Sequence, residues 1–108
     1  MLDNIILGTQ RNFEAVTTKP SPIALAYFWA SWCPPCKTFE PCLQQLANAY
    51  STQLIIIKIN VDEEAELTKK FAIKSVPTTR LYKYGSFVEA KSGLMGYHVL
   101  DRWISGWM

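Results

Sequence analysis

Two nearly continuous apolar runs constrain this chain more than any other feature. IALAYFWA occupies residues 23–30, and LIIIKINV occupies residues 54–61, broken only by Lys58 and Asn60. Such runs suit strands buried on both faces, as in a parallel sheet. Between them Phe39, Leu43, Leu46, Ala47 and Tyr50 recur at helical spacing and form one apolar face. Residues 63–72 predict a second helix, with Glu63, Glu64 and Glu66 in its first half and Lys69 and Lys70 near its end, the polarity that suits a helix dipole. TTRLYKY and SFVEAKS flank Gly85 and read as a hairpin. Leu100, Trp103, Ile104 and Trp107 lie on one stripe of a terminal helix, and an N-terminal helix is expected around Thr9 to Val16. The prolines of TTKPSP, residues 17–22, make that stretch a loop. The pattern is α/β, with a central mixed sheet and helices on both faces.

A length of 108 residues suits one domain, 1–108, large enough to bury a core without staples. No repeat, low-complexity tract or linker interrupts it. About half the residues are hydrophobic, and four Trp, five Tyr and five Phe argue for an ordered globule. A net charge of +2, with basic residues scattered, gives no expectation of nucleic acid or of an anionic membrane as partner. The start, MLDNIILGTQ, has an early Asp and no basic region ahead of its short apolar run, so no targeting segment is read there. No stretch approaches a membrane span. A cytoplasmic location is expected, a periplasmic or secreted one being the alternative if a leader had been removed.

All three cysteines fall within AYFWASWCPPCKTFEPC, residues 26–42. Cys33 and Cys36 form a C-x-x-C pair that follows a buried strand and opens a helix. A helix N-terminus carries partial positive charge and unsatisfied N–H groups, and both stabilise a thiolate. Cys33 is therefore the expected nucleophile. The i, i+3 spacing returns the second sulfur beside the first, so Cys36, one turn in and more covered, is the expected resolving thiol. With Cys33 as N-cap, Pro34 and Pro35 fill the first helical positions, where proline is tolerated. Neither can donate to the Cys33 sulfur, so the first available amide is that of Cys36. Pro34 itself precedes a proline, which disfavours helical geometry there and could delay the helix to Pro35. Half a zinc site is the other use of C-x-x-C, but Cys42 and His98 are the only further Cys or His residues and are poorly spaced for it, so no metal site is expected.

These residues resemble the thioredoxin family, and the resemblance covers essentially the whole chain. FWASWCPPCK is similar to the family's W-C-G-P-C-K segment. KINVD, residues 58–62, is similar to the strand after the active-site helix, and SVPTT, residues 75–79, to the loop that carries a cis proline. YKYG and KSG match the hairpin with glycines at Gly85 and Gly93, and Pro41 sits where the family's helix bends. The resemblance implies a thioredoxin fold, a central five-stranded mixed β-sheet flanked by four α-helices. It implies thiol–disulfide exchange, in which Cys33 attacks a substrate disulfide and Cys36 resolves the mixed disulfide. Trp32, Pro34, Pro35, Val76, Pro77 and Thr78 would form the platform for the substrate chain. A cis Pro77 would leave the Val76 backbone free to pair with an extended peptide. No bound cofactor is implied; electrons would come from a thioredoxin reductase using NADPH. The partners would be disulfide-containing proteins, and the chain would be a monomer.

Two departures from the family stand out. Pro34 replaces the usual glycine between the cysteines, and the dipeptide there tunes the potential, so the motif settles the chemistry but not its direction. Tyr27 stands six residues before Cys33, where the family usually has a buried Asp, yet Lys58, that Asp's partner, is retained. Lys58 either snorkels to water from its strand end or, with water or the Tyr27 hydroxyl, assists Cys36. Trp29 is expected to pack beneath the site and Trp32 to lie on the surface. Cys42 is expected to be a buried structural thiol and His98 a surface residue. Alternative functions are a disulfide oxidase or isomerase, a partner-binding module of chaperone type, and a metal or iron–sulfur carrier built from paired chains.

Overall fold

The computed structural model describes residues 3–18 and 22–108. The order of elements is β1 (Ile5–Leu7), α1 (Phe13–Thr17), β2 (Ile23–Trp29), α2 (Pro34–Ala49), β3 (Leu54–Asn60), α3 (Ala65–Lys70), β4 (Thr78–Lys83), β5 (Ser86–Ser92) and α4 (Tyr97–Ser105). The five strands form one mixed sheet in the order β1-β3-β2-β4-β5. β1, β3 and β2 run parallel, whereas β4 and β5 are antiparallel to their neighbours.

The apolar runs become β2 and β3 because each supplies two cores. Along β2, Ile23, Leu25 and Tyr27 point to the side that holds α2 and α4, meeting Phe39, Leu43, Leu46, Leu100 and Ile104. Ala24, Ala26 and Phe28 point to the other side, toward Phe13, Val16 and Leu67. The strand period of two sorts a continuous apolar string into two faces. In β3, Ile56 falls on the α2 side and Ile57 and Ile59 on the other. The same alternation puts Lys58 on the α2 side, and the register places it directly beside Tyr27.

Several elements differ from the sequence reading. β1 was not anticipated as a strand: it has three residues at a sheet edge, and its place is secured from outside its own sequence. Buried Asn4 donates from Nδ2 to the carbonyls of Ala47 (2.8 Å) and Leu54 (2.9 Å), tying the chain start to the end of α2 and the start of β3. The first helix covers Phe13–Thr17 instead of starting at Thr9, because Thr9 and Asn12 bond each other in a turn ahead of it. α3 is shorter than 63–72: Asn60 accepts from the amides of Asp62 and Glu63 through its side chain, holding the chain in a turn. α4 ends at Ser105 with Gly106 as its cap, so Trp107 leaves the helical stripe and is exposed, not part of the core. Of TTKPSP, residues 19–21 lie outside the described residues.

Candidate active site

Cys33 is the N-cap of α2, with an extended backbone (φ −105°, ψ 101°), and the helix begins at Pro34, so the prolines occupy its first two positions. The expected delay to Pro35 does not occur. The Cys36 amide donates to the Cys33 sulfur at 3.1 Å, the one capping bond that the two prolines leave to the first turn. Cys33 and Cys36 form a disulfide with Cα atoms 5.3 Å apart. Burial scarcely distinguishes the pair: Cys33 is 3 % and Cys36 2 % exposed, so the expected difference in cover is marginal. The asymmetry lies in the cap, which one sulfur accepts and the other residue's amide provides. Pro34 and Pro35 are exposed beside them.

Trp32 projects from the turn before the helix. It is 65 % exposed, and its indole N–H donates to Asp62 at 2.8 Å, which fixes the ring's orientation. Trp32 and Val76 line one groove of about 170 Å³, together with Val61, Thr68 and Ile73. The Val76–Pro77 peptide is cis. Pro77 and Thr78, next along the chain, are buried, and the Thr78 hydroxyl donates to the Ser75 carbonyl at 2.7 Å. Trp29 is half-buried against the α2-side core. Cys42 is unpaired and also half-buried, less covered than its expected role as a buried thiol implies, because it lies at the margin of the helix face. His98 is exposed.

Lys58 neither snorkels freely nor meets the Tyr27 hydroxyl. Its ammonium pairs with the Glu40 carboxylate on α2 and lies 5.1 Å from the centre of the Trp29 ring. Tyr27 is fully buried, and its hydroxyl donates to the Cys36 carbonyl at 3.1 Å. Burial pushes the ionisation of that hydroxyl above its ordinary range, and the negative charge of the nearby Glu40 carboxylate adds to this. Cys36, Glu40 and Lys58 line a cleft of about 310 Å³ with Trp29, Ala30, Ser31 and Lys37. Glu40 is the residue that sequence reasoning missed. The signal was present: it lies four residues after Cys36 on one helix, and positions so spaced share a face. Among the described residues no group of three or more His, Cys, Asp or Glu could hold a metal ion, and no helix is long and apolar enough to cross a membrane.

This geometry suits reversible opening of a disulfide at a helix start. The thioredoxin family profile matches residues 4–106. A thioredoxin from Rickettsia bellii is 33% identical over 97 residues, covering 90% of this chain and 92% of that protein. Thioredoxin 2 from Chlorobaculum tepidum is 37% identical over 95 residues, covering 88% and 87%. A solved structure of a point-mutant thioredoxin from Halobacterium salinarum superposes with a TM-score of 0.88 at 31% identity, covering 98% of this chain and 92% of that one.

Proposed function

Since this chain belongs to the thioredoxin family and is a thiol–disulfide oxidoreductase, we propose that it works as a reductase of protein disulfides, with Cys33 as nucleophile and Cys36 as resolving thiol. One observation carries the assignment of roles. The Cys33 sulfur caps α2 and accepts the Cys36 amide, so a negative charge on that sulfur is met by a hydrogen bond and by the helix dipole. Cys36 sits inside the first turn and has no such cap.

In the reduced protein the Cys33 thiolate attacks one sulfur of a substrate disulfide. A Cys33–substrate disulfide forms, and the other substrate sulfur leaves as a thiolate. Cys36 then loses its proton and attacks the Cys33 sulfur, forming the Cys33–Cys36 bond as the second substrate thiolate departs. Two electrons pass from the protein's dithiol to the substrate, and no bound cofactor is needed. Trp32, Pro34, Pro35, Val76, Pro77 and Thr78 bind the substrate segment. The exposed Trp32 ring and the groove it shares with Val76 support that reading, as do the exposed prolines. The buried Thr78 side chain supports a backbone contribution only. Lys58 assists Cys36 from the shared cleft. A thioredoxin reductase using NADPH returns the electrons, the substrates are cytoplasmic proteins, and the chain acts as a monomeric single domain.

Equilibration against dithiothreitol and glutathione buffers, read by Trp fluorescence, tests the direction. Trp29 and Trp32 flank the pair and report it. A strongly reducing potential is expected; a markedly oxidising one would replace the reductase by an oxidase or isomerase. Cys33→Ser should abolish turnover, and Cys36→Ser should trap the substrate as a mixed disulfide on Cys33.

A further inference from the structure

Resolution by Cys36 requires its proton to go somewhere. The Cys36 side chain is 2 % exposed, packed among apolar residues that disfavour a thiolate. It reaches solvent along the cleft it shares with Glu40 and Lys58. Of the groups lining that cleft among the described residues, Lys37 and Lys58 are cations and Ser31 is a neutral hydroxyl, which leaves Glu40 as the one carboxylate able to accept a proton. Tyr27, which faces Cys36 from β2, donates to its carbonyl and stays protonated, so it serves no such role.

Resting on the reading of Cys36 as resolving thiol, we propose that Glu40, held in place by Lys58, is the proton acceptor for Cys36 in the resolving step. Four features carry this. Glu40 lies one turn beyond Cys36 on the same helix, so the two side chains open on one cleft. The Lys58 ammonium comes from β3 at the register position beside Tyr27 and anchors the carboxylate there, while its own head rests against Trp29. The Glu40 side chain is 29 % exposed, which lets it pass the proton on to solvent. A cleft of about 310 Å³ has room for water between thiol and carboxylate. As Cys36 attacks, its S–H proton passes through that water to the Glu40 carboxylate. The Cys33–Cys36 bond forms, the Cys33–substrate bond breaks, and the substrate thiolate takes a proton from solvent. Lys58 is thus a positioning residue, acting through Glu40.

The test is single-turnover resolution. A chromogenic aryl thiol is loaded on Cys33 of the reduced protein as a mixed disulfide, and its release is followed by absorbance across pH. At neutral pH, Glu40→Gln should slow release about tenfold or more. The variant's rate should climb with pH as Cys36 comes to rely on hydroxide, converging with the unaltered protein in alkali. Glu40→Asp should restore part of the neutral rate. Alkylation of Cys33 in the reduced protein should stay the same in Glu40→Gln, which separates this role from a general loosening of the helix. If Glu40→Gln matches the unaltered protein in rate and pH profile, Glu40 is only an ion-pair partner and the proposal fails. Cys36→Ser provides the second arm. Release that persists in that variant would overturn Cys36 as the resolving thiol, a failure distinct from that of Glu40.

Discussion

At the scale of single residues, Tyr27 shows how one side chain serves both the core and the site. A tyrosine fits on the α2 side of β2 because its ring packs edge-on against Phe39, with centroids 5.7 Å apart, and its hydroxyl finds the Cys36 carbonyl. The phenol's raised ionisation links it to pH. The unfolded chain releases that proton at about pH 10, whereas the folded chain holds it to higher pH. Above that point the unfolded state binds fewer protons, so stability is full below about pH 10 and falls as pH rises, by at most about 1.4 kcal/mol per pH unit. Tyr27→Phe should lose about 1 kcal/mol in urea unfolding at neutral pH, through the missing hydrogen bond. It should also flatten the alkaline decline. Some decline remains, because Tyr50, hydrogen-bonded to Asp101, is shifted the same way. An unchanged alkaline slope in Tyr27→Phe would mean that the hydroxyl is not held in its protonated form by the fold. Cys33, Pro34 and Cys36 were legible in the sequence because their arrangement is local, a cap and the first turn after it.

At the scale of elements, legibility followed length and chain-local chemistry. The β4–β5 hairpin was readable from Gly85, and its turn carries positive φ at both Tyr84 (49°) and Gly85 (85°), the twist-matched two-residue form. Gly85→Ala should cost about 1–2 kcal/mol, since a Cβ is strained at that φ and would meet the Thr18 backbone at 3.3 Å. Thermal unfolding measures this, and a loss near zero would show that the turn relaxes. α2 was readable from its apolar spacing. Its Pro41 is accommodated inside the helix, where the lost amide leaves the Lys37 carbonyl without its usual partner. β1 was not readable, because three residues carry no periodicity and its pairing is made by β3. The last turn of the terminal stripe failed at Gly106, which ends α4 before Trp107 can join the core.

At the scale of the whole molecule, the sheet is the partition between two cores, and α2 is clamped to one of them at its middle. Phe39 is fully buried there, in one cluster with Tyr27, Cys33 and Cys36. Phe39→Ala should therefore destabilise by about 3–5 kcal/mol in denaturant unfolding. It should also change the redox potential of the Cys33–Cys36 couple, because the helix start is seated through that contact. A loss under about 1 kcal/mol would mean that the core collapses into the space. The sequence alone determined the two strands that found the sheet, the helix between them and the capped cysteine pair. Each of these rests on spacing within a short stretch of chain, which side-chain chemistry and backbone periodicity decide locally. Only the tertiary structure decided that Glu40 meets Lys58, that Tyr27 bonds the Cys36 carbonyl and that Ile5–Leu7 becomes a strand. Those contacts join separate elements of the chain, and which side chains meet depends on the register of β3 between β1 and β2 and on the rotation of α2 above them.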